Sequence, residues 1–300
     1  KFNFYKKNYK NVKKNLNIVI EKNIIYTTDN LGFIYALDYI NKKILWAINN
    51  KIPFRSNLKI RDNKIVAADQ NNNILFIDKD NGKIVELIPT EDSSIKNDFK
   101  NNFSLNKNLV FILNTYGSLY AIDKLSNEIR WVVNLNQSLD ISANNLFNGN
   151  PIINNEELIV VTTHRSTYII NSYSGAIIYK FNIISQIKPF IVNDYLFLIS
   201  ANNLLICINI KNGEIIYSYE INKKIAQYLD IKEKKAFFKS IMMVNSQIFI
   251  LLQNSYLLEL KVNGNLKNIF RLPEKVNSNL LFIDNSILYF NQKNKLIILN

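Results

Sequence analysis

The chain repeats one short pattern of strands and turns, which is clearest in the stretch from Leu109 to Trp131. Three runs of about five apolar residues, rich in β-branched and aromatic side chains, alternate there with two polar turns. The turns contain Asn, Gly, Ser and Asp, the residues that tight hairpins favour. The stretch is therefore predicted to form strand, hairpin, strand, hairpin and strand.

The same unit occurs seven times along the sequence. We take the residue that ends the second run as the reference position, and neighbouring references are separated by 38 (209−171) to 51 (260−209) residues. Three references are aspartates, which we predict to form turns by accepting hydrogen bonds from the backbone rather than to act as acid and base. The seven reference residues are Asp38, Asp78, Asp123, Asn171, Asn209, Leu260 and Asn300.

Two further positions recur at fixed offsets from the reference. Six residues before it, six of the seven repeats have Gly or Asn, which best tolerate the positive φ of a tight hairpin. These residues are Gly32, Asn72, Gly117, Arg165, Asn203, Asn254 and Asn294. Eight residues after it, four of the first six repeats have a large aromatic residue, namely Trp46, Trp131, Tyr179 and Tyr217. Glu86 and Asn268 occupy the other two, and Phe270 is predicted to substitute for Asn268 because it lies on the same strand face.

Repeats of this period, with three or four strands each, are typical of a β-propeller. We predict an all-β fold of about seven four-stranded blades, with eight as the alternative, in a single domain over residues 1–300. The seventh repeat lacks a fourth run, and the segment from Phe2 to Tyr5 is predicted to supply that strand and close the ring. Longer connections are predicted at 90–107, with a weak outer or inner strand near Phe103, and at 136–150, and a short helical insertion within 223–240.

The formal net charge of +13 is concentrated at the start of the chain. Residues 1–22 contain seven lysines and one glutamate, a net charge of +6, which leaves +7 for the other 278 residues. The chain is also rich in Lys, Asn and Ile and poor in Arg, a compositional bias that raises the charge without a binding role. We therefore predict no nucleic-acid partner, and keep binding of an anionic surface by the lysine-rich N-terminus as an alternative.

Residue types that carry catalysis or bind metals are scarce. The chain has one histidine, His164, and one cysteine, Cys207. A histidine-based triad, a His/Cys metal site and a disulfide within the chain all need more than these two residues. We predict that the protein is not an enzyme and has no catalytic residues, metal or cofactor. Cys207 is expected to be a buried apolar residue, and His164 to lie at the surface in a turn.

The segments Gly32–Trp46 (GFIYALDYINKKILW) and Gly117–Trp131 (GSLYAIDKLSNEIRW) resemble the repeat of the pyrroloquinoline-quinone-type propellers. Within that superfamily the chain is most similar to the BamB-like lipoproteins of outer-membrane-protein assembly. The resemblance implies a non-catalytic, periplasmic scaffold that is anchored to the outer membrane by a lipid on an upstream cysteine. It also implies binding to the periplasmic domains of a BamA-like β-barrel assembly protein. The alternative is a quinoprotein-like propeller that binds a ligand or is related to dehydrogenases.

The resemblance also assigns roles to individual residues. In the family the tryptophan of the outer strand docks on the next blade, so Trp46 and Trp131 are expected to do so, with Tyr179 and Tyr217 as weaker versions. A long loop after the Trp-x-x-x-Leu strand supplies the partner contact and reads Ser-Leu-x-Leu-Arg. Here the loop is Ser138–Ser142, so the expected partner-binding residues are Leu139, Asp140, Ile141 and Ser142. Ser142 replaces the basic residue, and the next connection has Ser185, Gln186 and Ile187 where the family has acidic residues.

Overall fold

The structure is a computed structural model of the chain and describes residues 12, 14–92, 100–136, 147, 149, 152–283, 286–293 and 295–299. The chain divides into two compact units, residues 1–152 and 153–300. The described residues form three antiparallel sheets in the first unit and four in the second. Six of these sheets have four strands, and the last has three described strands.

The first unit contains sheets 1 to 3, whose strands pair in chain order. Their strands are β1 (Leu16–Glu21), β2 (Ile24–Asp29), β3 (Phe33–Asp38), β4 (Lys43–Asn49), β5 (Lys59–Arg61), β6 (Lys64–Ala68), β7 (Ile74–Asp78), β8 (Ile84–Ile88), β9 (Asn102–Leu105), β10 (Leu109–Leu113), β11 (Ser118–Asp123) and β12 (Ile129–Asn134). The first strands of neighbouring sheets contact one another, β1 with β5 and β5 with β9, so each sheet presents its first strand at the same side of the unit.

The second unit contains sheets 4 to 7 and one helix. Sheets 4 and 5 consist of β13 (Ile153–Asn154), β14 (Leu158–Thr162), β15 (Thr167–Asn171), β16 (Ile177–Phe181), β17 (Phe190–Val192), β18 (Tyr195–Ile199), β19 (Leu204–Asn209) and β20 (Ile215–Glu220). The helix α1 (Ile221–Leu229) follows, and sheets 6 and 7 consist of β21 (Phe238–Val244), β22 (Gln247–Leu252), β23 (Tyr256–Lys261), β24 (Leu266–Arg271), β25 (Leu281–Ile283), β26 (Ser286–Phe290) and β27 (Leu296–Leu299). This helix confirms the predicted helical insertion.

The second and third strands of each four-stranded sheet are the most buried, and within each unit they pack against the sheet or sheets next in the chain. In the first unit, Phe76 of sheet 2 packs with Phe103 and Ile112 of sheet 3. In the second, Cys207 of sheet 5 packs with Ile248 and Leu258 of sheet 6. Burial raises the pKa of the Cys207 thiol to about 11. Sheets stacked face to face in this way, four strands to a sheet, are the blades of a β-propeller, and the predicted all-β fold of seven blades is confirmed.

Each of the six four-stranded sheets has one register shift between its third and fourth strands, directly before the residue that ends the third strand. The register shifts between Ala36 and Leu37 in sheet 1 and between Phe76 and Ile77 in sheet 2. Opposite the first residue of each shift lies the aromatic position, as in the pairing of Ala36 with Trp46. The shift increases local twist and fixes which face of the fourth strand carries that side chain.

In the sixth repeat, the first hairpin and the end of the third strand lie one residue later in the chain than the sequence pattern predicted. The positive φ of its first hairpin belongs to Ser255 (φ 67°), not to Asn254. The Ser255 N–H donates to Leu252 O at 3.0 Å, as the Asn203 N–H does to Ser200 O at 2.9 Å in the preceding repeat. The reference position of this repeat is therefore Lys261, which ends β23, and the assignment to Leu260 is wrong.

The physical reason is a shorter second hairpin in the sixth repeat. The Lys261 N–H donates to Asn265 O, four residues on, whereas the Asp78 N–H donates to Lys83 O, five residues on. Asn268 consequently pairs with Glu259 and occupies the aromatic position itself, so the predicted substitution by Phe270 is wrong.

The predicted closure of the ring and the predicted domain boundary are not tested by the described residues. The segment Phe2–Tyr5, predicted to close the ring, lies outside the described residues, and the closure stays a prediction, as does the single-domain boundary 1–300. No helix in the described part of the chain has both the length and the apolar character needed to cross a membrane.

Candidate functional site

The predicted partner-binding residues Leu139, Asp140, Ile141 and Ser142 lie outside the described residues, but both ends of their connection are described. At the near end, the Leu135 N–H donates to Gly117 O at 2.8 Å. At the far end, the Phe147 N–H donates to Thr115 O at 2.9 Å. Residues 135 and 147, at the two ends of this connection, are thus both tied to one hairpin turn, between β10 and β11.

The hairpin turn at residues 114–118, here called the hub turn, is built around Asn114. The Asn114 Oδ1 accepts the N–H groups of Tyr116 and Ser118, each at 3.0 Å. Gly117 has φ +87°, and a Cβ added there would lie 2.8 Å from the Cβ of Asn136 and from the ring of Phe147. A glycine is required at this place because the loop base approaches its backbone so closely.

The hub turn is also held from the other side, by the connection that follows β8. The Glu91 carboxylate accepts the hydroxyl of Ser118 at 2.6 Å and, in addition, the hydroxyl of Tyr120 and the side-chain amide of Asn114. The Tyr116 hydroxyl donates to Asp92 O at 3.2 Å. One short turn of sheet 3 therefore connects the base of the loop to the preceding inter-sheet connection.

The charge of Glu91 is stabilised by these donors. Desolvation raises its pKa, but the hydrogen bonds from Ser118, Tyr120 and Asn114 outweigh that effect, and the pKa is held below the ordinary value. Burial and the neighbouring carboxylate raise the pKa of Tyr120, which stays a hydrogen-bond donor. At neutral pH the carboxylate is therefore ionised and the cluster intact.

The sequence did not reveal this cluster, because Glu91 lies in a polar segment outside the repeat pattern and its partners are 23 to 29 residues away in the chain. A signal was present at Asn114. A polar residue ends the second strand at the same place in several repeats, and Asp29 and Asp69 accept the same two backbone bonds there.

The aromatic position joins one sheet to the next, and Trp46 does so most fully. Its indole N–H donates to Lys79 O in the β7–β8 turn at 2.8 Å. Its ring covers Gly82 of the same turn, where an added Cβ would lie 2.5 Å from Trp46 Cε3. The Lys79 ammonium also pairs with Glu21 of sheet 1 at 2.6 Å. The β7–β8 turn of sheet 2 is thus fastened to sheet 1.

The two tyrosines make the same contact in the second unit. The Tyr179 hydroxyl donates to Lys211 O at 3.2 Å, and its ring lies against Gly213. The Tyr217 hydroxyl donates to Val262 O at 2.6 Å. Trp131 lies on β12 with its ring centroid 6.0 Å from that of Phe111 in the same sheet.

Sheet 2 has Glu86 at the aromatic position, and a polar network replaces the ring there. The Asn127 side-chain amide of sheet 3 donates to the Glu86 carboxylate, and its oxygen accepts the Arg61 guanidinium at 2.7 Å. Asn127 has φ +60° and stands where the corresponding turns of sheets 2, 4, 5 and 6 have glycine. Arg61 is buried, and desolvation lowers its pKa although nearby carboxylates oppose the shift.

The three reference aspartates lie in turns, with their carboxylates bonded to the backbone. Asp38 Oδ1 accepts the N–H groups of residues 40 and 41 at 3.0 and 2.9 Å, and Asp78 Oδ1 those of residues 80 and 81 at 2.8 and 3.1 Å. Asp123 does the same with residues 125 and 126 and also accepts two bonds from Arg130, at 2.8 and 3.1 Å. Hydrogen bonds from Arg130 and the backbone lower the pKa of Asp123 to about 2.

The connection after β16, at Ser185, Gln186 and Ile187, is held through Gln186 to the β18–β19 turn of sheet 5, the sheet that follows. The Gln186 side-chain amide donates to Ala201 O at 3.0 Å and to Asn203 Oδ1 at 3.1 Å. His164 is exposed in the turn between β14 and β15. Among the described residues, no group of three or more His, Cys, Asp and Glu side chains is arranged to hold a metal ion.

Comparison with known proteins agrees with this architecture. Residues 91–299, more than half of the chain, match the sequence profile of the family described as outer membrane protein assembly factor BamB. No curated protein matches the chain. Among solved structures, BamB from Moraxella catarrhalis is similar with a TM-score of 0.74 at 13% identity, over 95% of this chain and 83% of that one. The computationally designed Ika8 protein is similar with a TM-score of 0.51 at 10% identity, over 95% and 96% of the two chains. The chain belongs to the family of outer membrane protein assembly factor BamB.

Proposed function

We propose that this protein is a non-catalytic protein–protein scaffold of the outer-membrane β-barrel assembly machinery. Its partner is the periplasmic region of a BamA-like assembly protein, and it works in the periplasm, held at the outer membrane by an upstream lipid anchor. The observation that carries the proposal is the family match over residues 91–299.

The loop between residues 135 and 147 is the proposed contact, through Leu139, Asp140, Ile141 and Ser142. The hub turn supports this proposal because it fixes both ends of the loop. A loop with a fixed base loses less conformational entropy on binding than one that is free at its ends. Two apolar side chains on such a loop suit the small buried centre that dominates most protein interfaces.

The test is a binding titration between this chain and the periplasmic domains of the BamA-like protein from the same organism. Wild-type protein is expected to bind, and the double variant Leu139→Asp/Ile141→Asp to bind roughly 100-fold more weakly, because each aspartate would be desolvated in an apolar contact. Leu125→Asp is the matched control, since Leu125 is 94% exposed in the β11–β12 turn and lies outside the proposed contact.

A gain of function sharpens the test. Ser142→Arg restores the basic residue of the family motif and is expected to tighten binding by a few fold through an exposed ion pair, an effect that salt weakens. Binding that is unchanged in the double aspartate variant contradicts the assignment of the loop. An absence of binding by the wild-type chain contradicts the scaffold itself.

A further inference from the structure

The connection between β20 and β21, residues 221–237, is a second protruding element that the scaffold proposal does not use. It starts with helix α1 and returns to the sheet through an extended segment. Its two ends are tied together, because the Asn222 side-chain oxygen accepts the Ala236 N–H at 3.1 Å. The Ile221 N–H also donates to Asn203 O of sheet 5 at 3.1 Å. The excursion between residues 222 and 236 therefore has a fixed base.

The apolar residues of this connection fall into two groups. Ile221, Ile225 and Ala236 face inward and pack on the core between sheets 5 and 6. The other large apolar side chains point away from the protein, in a segment where every residue from 227 to 235 is exposed. The outward group is Tyr228 (47% exposed), Leu229 (43%), Ile231 (48%) and Phe237 (59%). We call these four residues, with Lys232, Lys234 and Lys235, the 228–237 surface.

Positive charge accompanies this apolar group. The connection 221–237 has five lysines against Asp230 and Glu233, a net charge of +3, out of the +7 carried by residues 23–300. Lys223 pairs with Glu220 at 2.9 Å, and Lys224 lies over the ring of Tyr219 at 3.9 Å. Lys232, Lys234 and Lys235 are exposed beside the apolar side chains, with the Lys235 ammonium 5.7 Å from the ring centre of Phe237.

We infer that the 228–237 surface binds the headgroup region of an anionic lipid bilayer. Exposed aromatic and aliphatic side chains interleaved with lysines are typical of segments that lie in a membrane interface, where the apolar groups enter the acyl boundary and the ammonium groups meet lipid phosphates. A protein partner is less suited to it, because lysine is depleted in protein–protein interfaces. The contact would orient the propeller on the membrane independently of any lipid anchor.

Vesicle co-sedimentation tests this inference with the full chain in its unlipidated form. Vesicles of phosphatidylethanolamine and phosphatidylglycerol at 3:1 provide the anionic surface, and phosphatidylcholine vesicles the neutral one. Lys232→Gln/Lys234→Gln/Lys235→Gln is expected to weaken binding to anionic vesicles roughly 100-fold, since each lysine near such a surface contributes about fivefold. Ile231→Ser/Phe237→Ser is expected to weaken it about tenfold or more.

The lysine-rich N-terminus supplies a matched control. Lys6→Gln/Lys7→Gln/Lys10→Gln removes the same charge and is expected to reduce vesicle binding much less than the triple change at the 228–237 surface. Equal or larger losses in this control overturn the inference in favour of the N-terminus. All substituted residues of the 228–237 surface are exposed, and thermal unfolding checks that each variant is folded as the wild type is.

A soluble polyglutamate peptide separates a membrane from an acidic protein partner. If the peptide binds as tightly as the vesicles, and the Ile231→Ser/Phe237→Ser variant binds both as the wild type does, the apolar residues have no role and the inference is overturned. Failure of the wild-type chain to bind anionic vesicles overturns it as well. Neither result affects the scaffold proposal, whose titration uses the BamA-like domains and no lipid.

Discussion

The contact between sheets 1 and 2 and the contact between sheets 2 and 3 use the same position for different chemistry. At the first, the Trp46 ring covers Gly82 and its N–H reaches a backbone carbonyl. At the second, Glu86, Asn127 and Arg61 form a hydrogen-bonded network in the same place. The turn residue with positive φ differs together with the residue that it contacts. It is glycine where the contact is the tryptophan ring, and asparagine where the contact is the polar network.

The difference shows that the repeat conserves a geometry more strictly than a residue type. A left-handed residue in the turn brings that turn under the fourth strand of the neighbouring sheet, and either a ring or a polar network can then fill the space. The polar solution depends on complete pairing, because a buried guanidinium without its acceptor is costly. A second set of polar contacts joins sheets 2 and 3, where the Glu91 carboxylate binds the hub turn.

The largest effect is expected from removing the ring. Trp46→Ala leaves a gap above Gly82 and an unpaired Lys79 carbonyl, and is expected to lower the free energy of unfolding by about 3 kcal/mol. Chemical denaturation measures the change. Trp46→Phe keeps most of the ring and loses only the N–H donor, so a loss of about 1 kcal/mol is expected. Equal losses in the two variants would contradict the role of the ring.

Removing the Asn127 amide at the centre of the polar network is expected to lower the free energy of unfolding. Asn127→Gly keeps the positive φ but removes the partner of both Glu86 and Arg61, and is expected to cost about 2 kcal/mol in the same measurement. Glu86→Gln is the matched control, because its amide oxygen still accepts the Asn127 donor, and its effect should be well under half as large. A neutral or stabilising Asn127→Gly would show that the network is not needed.

The contact at Glu91 is expected to make the sheet 2 and sheet 3 interface sensitive to acid. Glu91→Gln is expected to lower the free energy of unfolding by about 1 kcal/mol at neutral pH. The folded-state pKa of Glu91 is depressed, so its contribution is present above the ordinary glutamate pKa and is lost as pH falls through the lower folded value. The stabilities of wild type and variant should therefore converge only at acid pH, below the ordinary pKa of a glutamate. A difference that persists there would rule out the carboxylate as its source.

The smallest effect is expected in the turn that presents Asn127. Asp123→Asn retains the bonds to the backbone, as asparagine does at positions 171 and 209, and loses only the pairing with Arg130. The melting temperature of the variant should be slightly below that of the wild type at neutral pH, and high salt should narrow the difference because it screens the ion pair of the wild type. With its pKa depressed to about 2, Asp123 makes this contribution above its ordinary pKa and loses it as pH falls toward 2. A large drop in melting temperature would mean that the charge itself holds the turn.

The strands and turns were predictable because they depend on local chemistry. Asp38 ends a strand and accepts bonds two and three residues on, which a short segment of sequence reveals. The network of Glu86 and Asn127 was not predictable, because its members are 41 residues apart and neither follows the consensus. The sixth repeat misled the alignment by one residue, since a shortened turn leaves the spacing of apolar residues almost unchanged. The loop residues Leu139 and Ile141 stay a prediction from resemblance.

The burial of Cys207 has a practical consequence for studying this protein in solution. The thiol is 3% exposed, and its raised pKa of about 11 leaves little thiolate at neutral pH. Because thiolate is the form that reacts with alkylating probes, the native cysteine should stay silent during labelling of the folded chain. A single cysteine introduced at an exposed position, such as Leu125 or Phe237, can then carry a fluorophore or spin label without first removing the natural one.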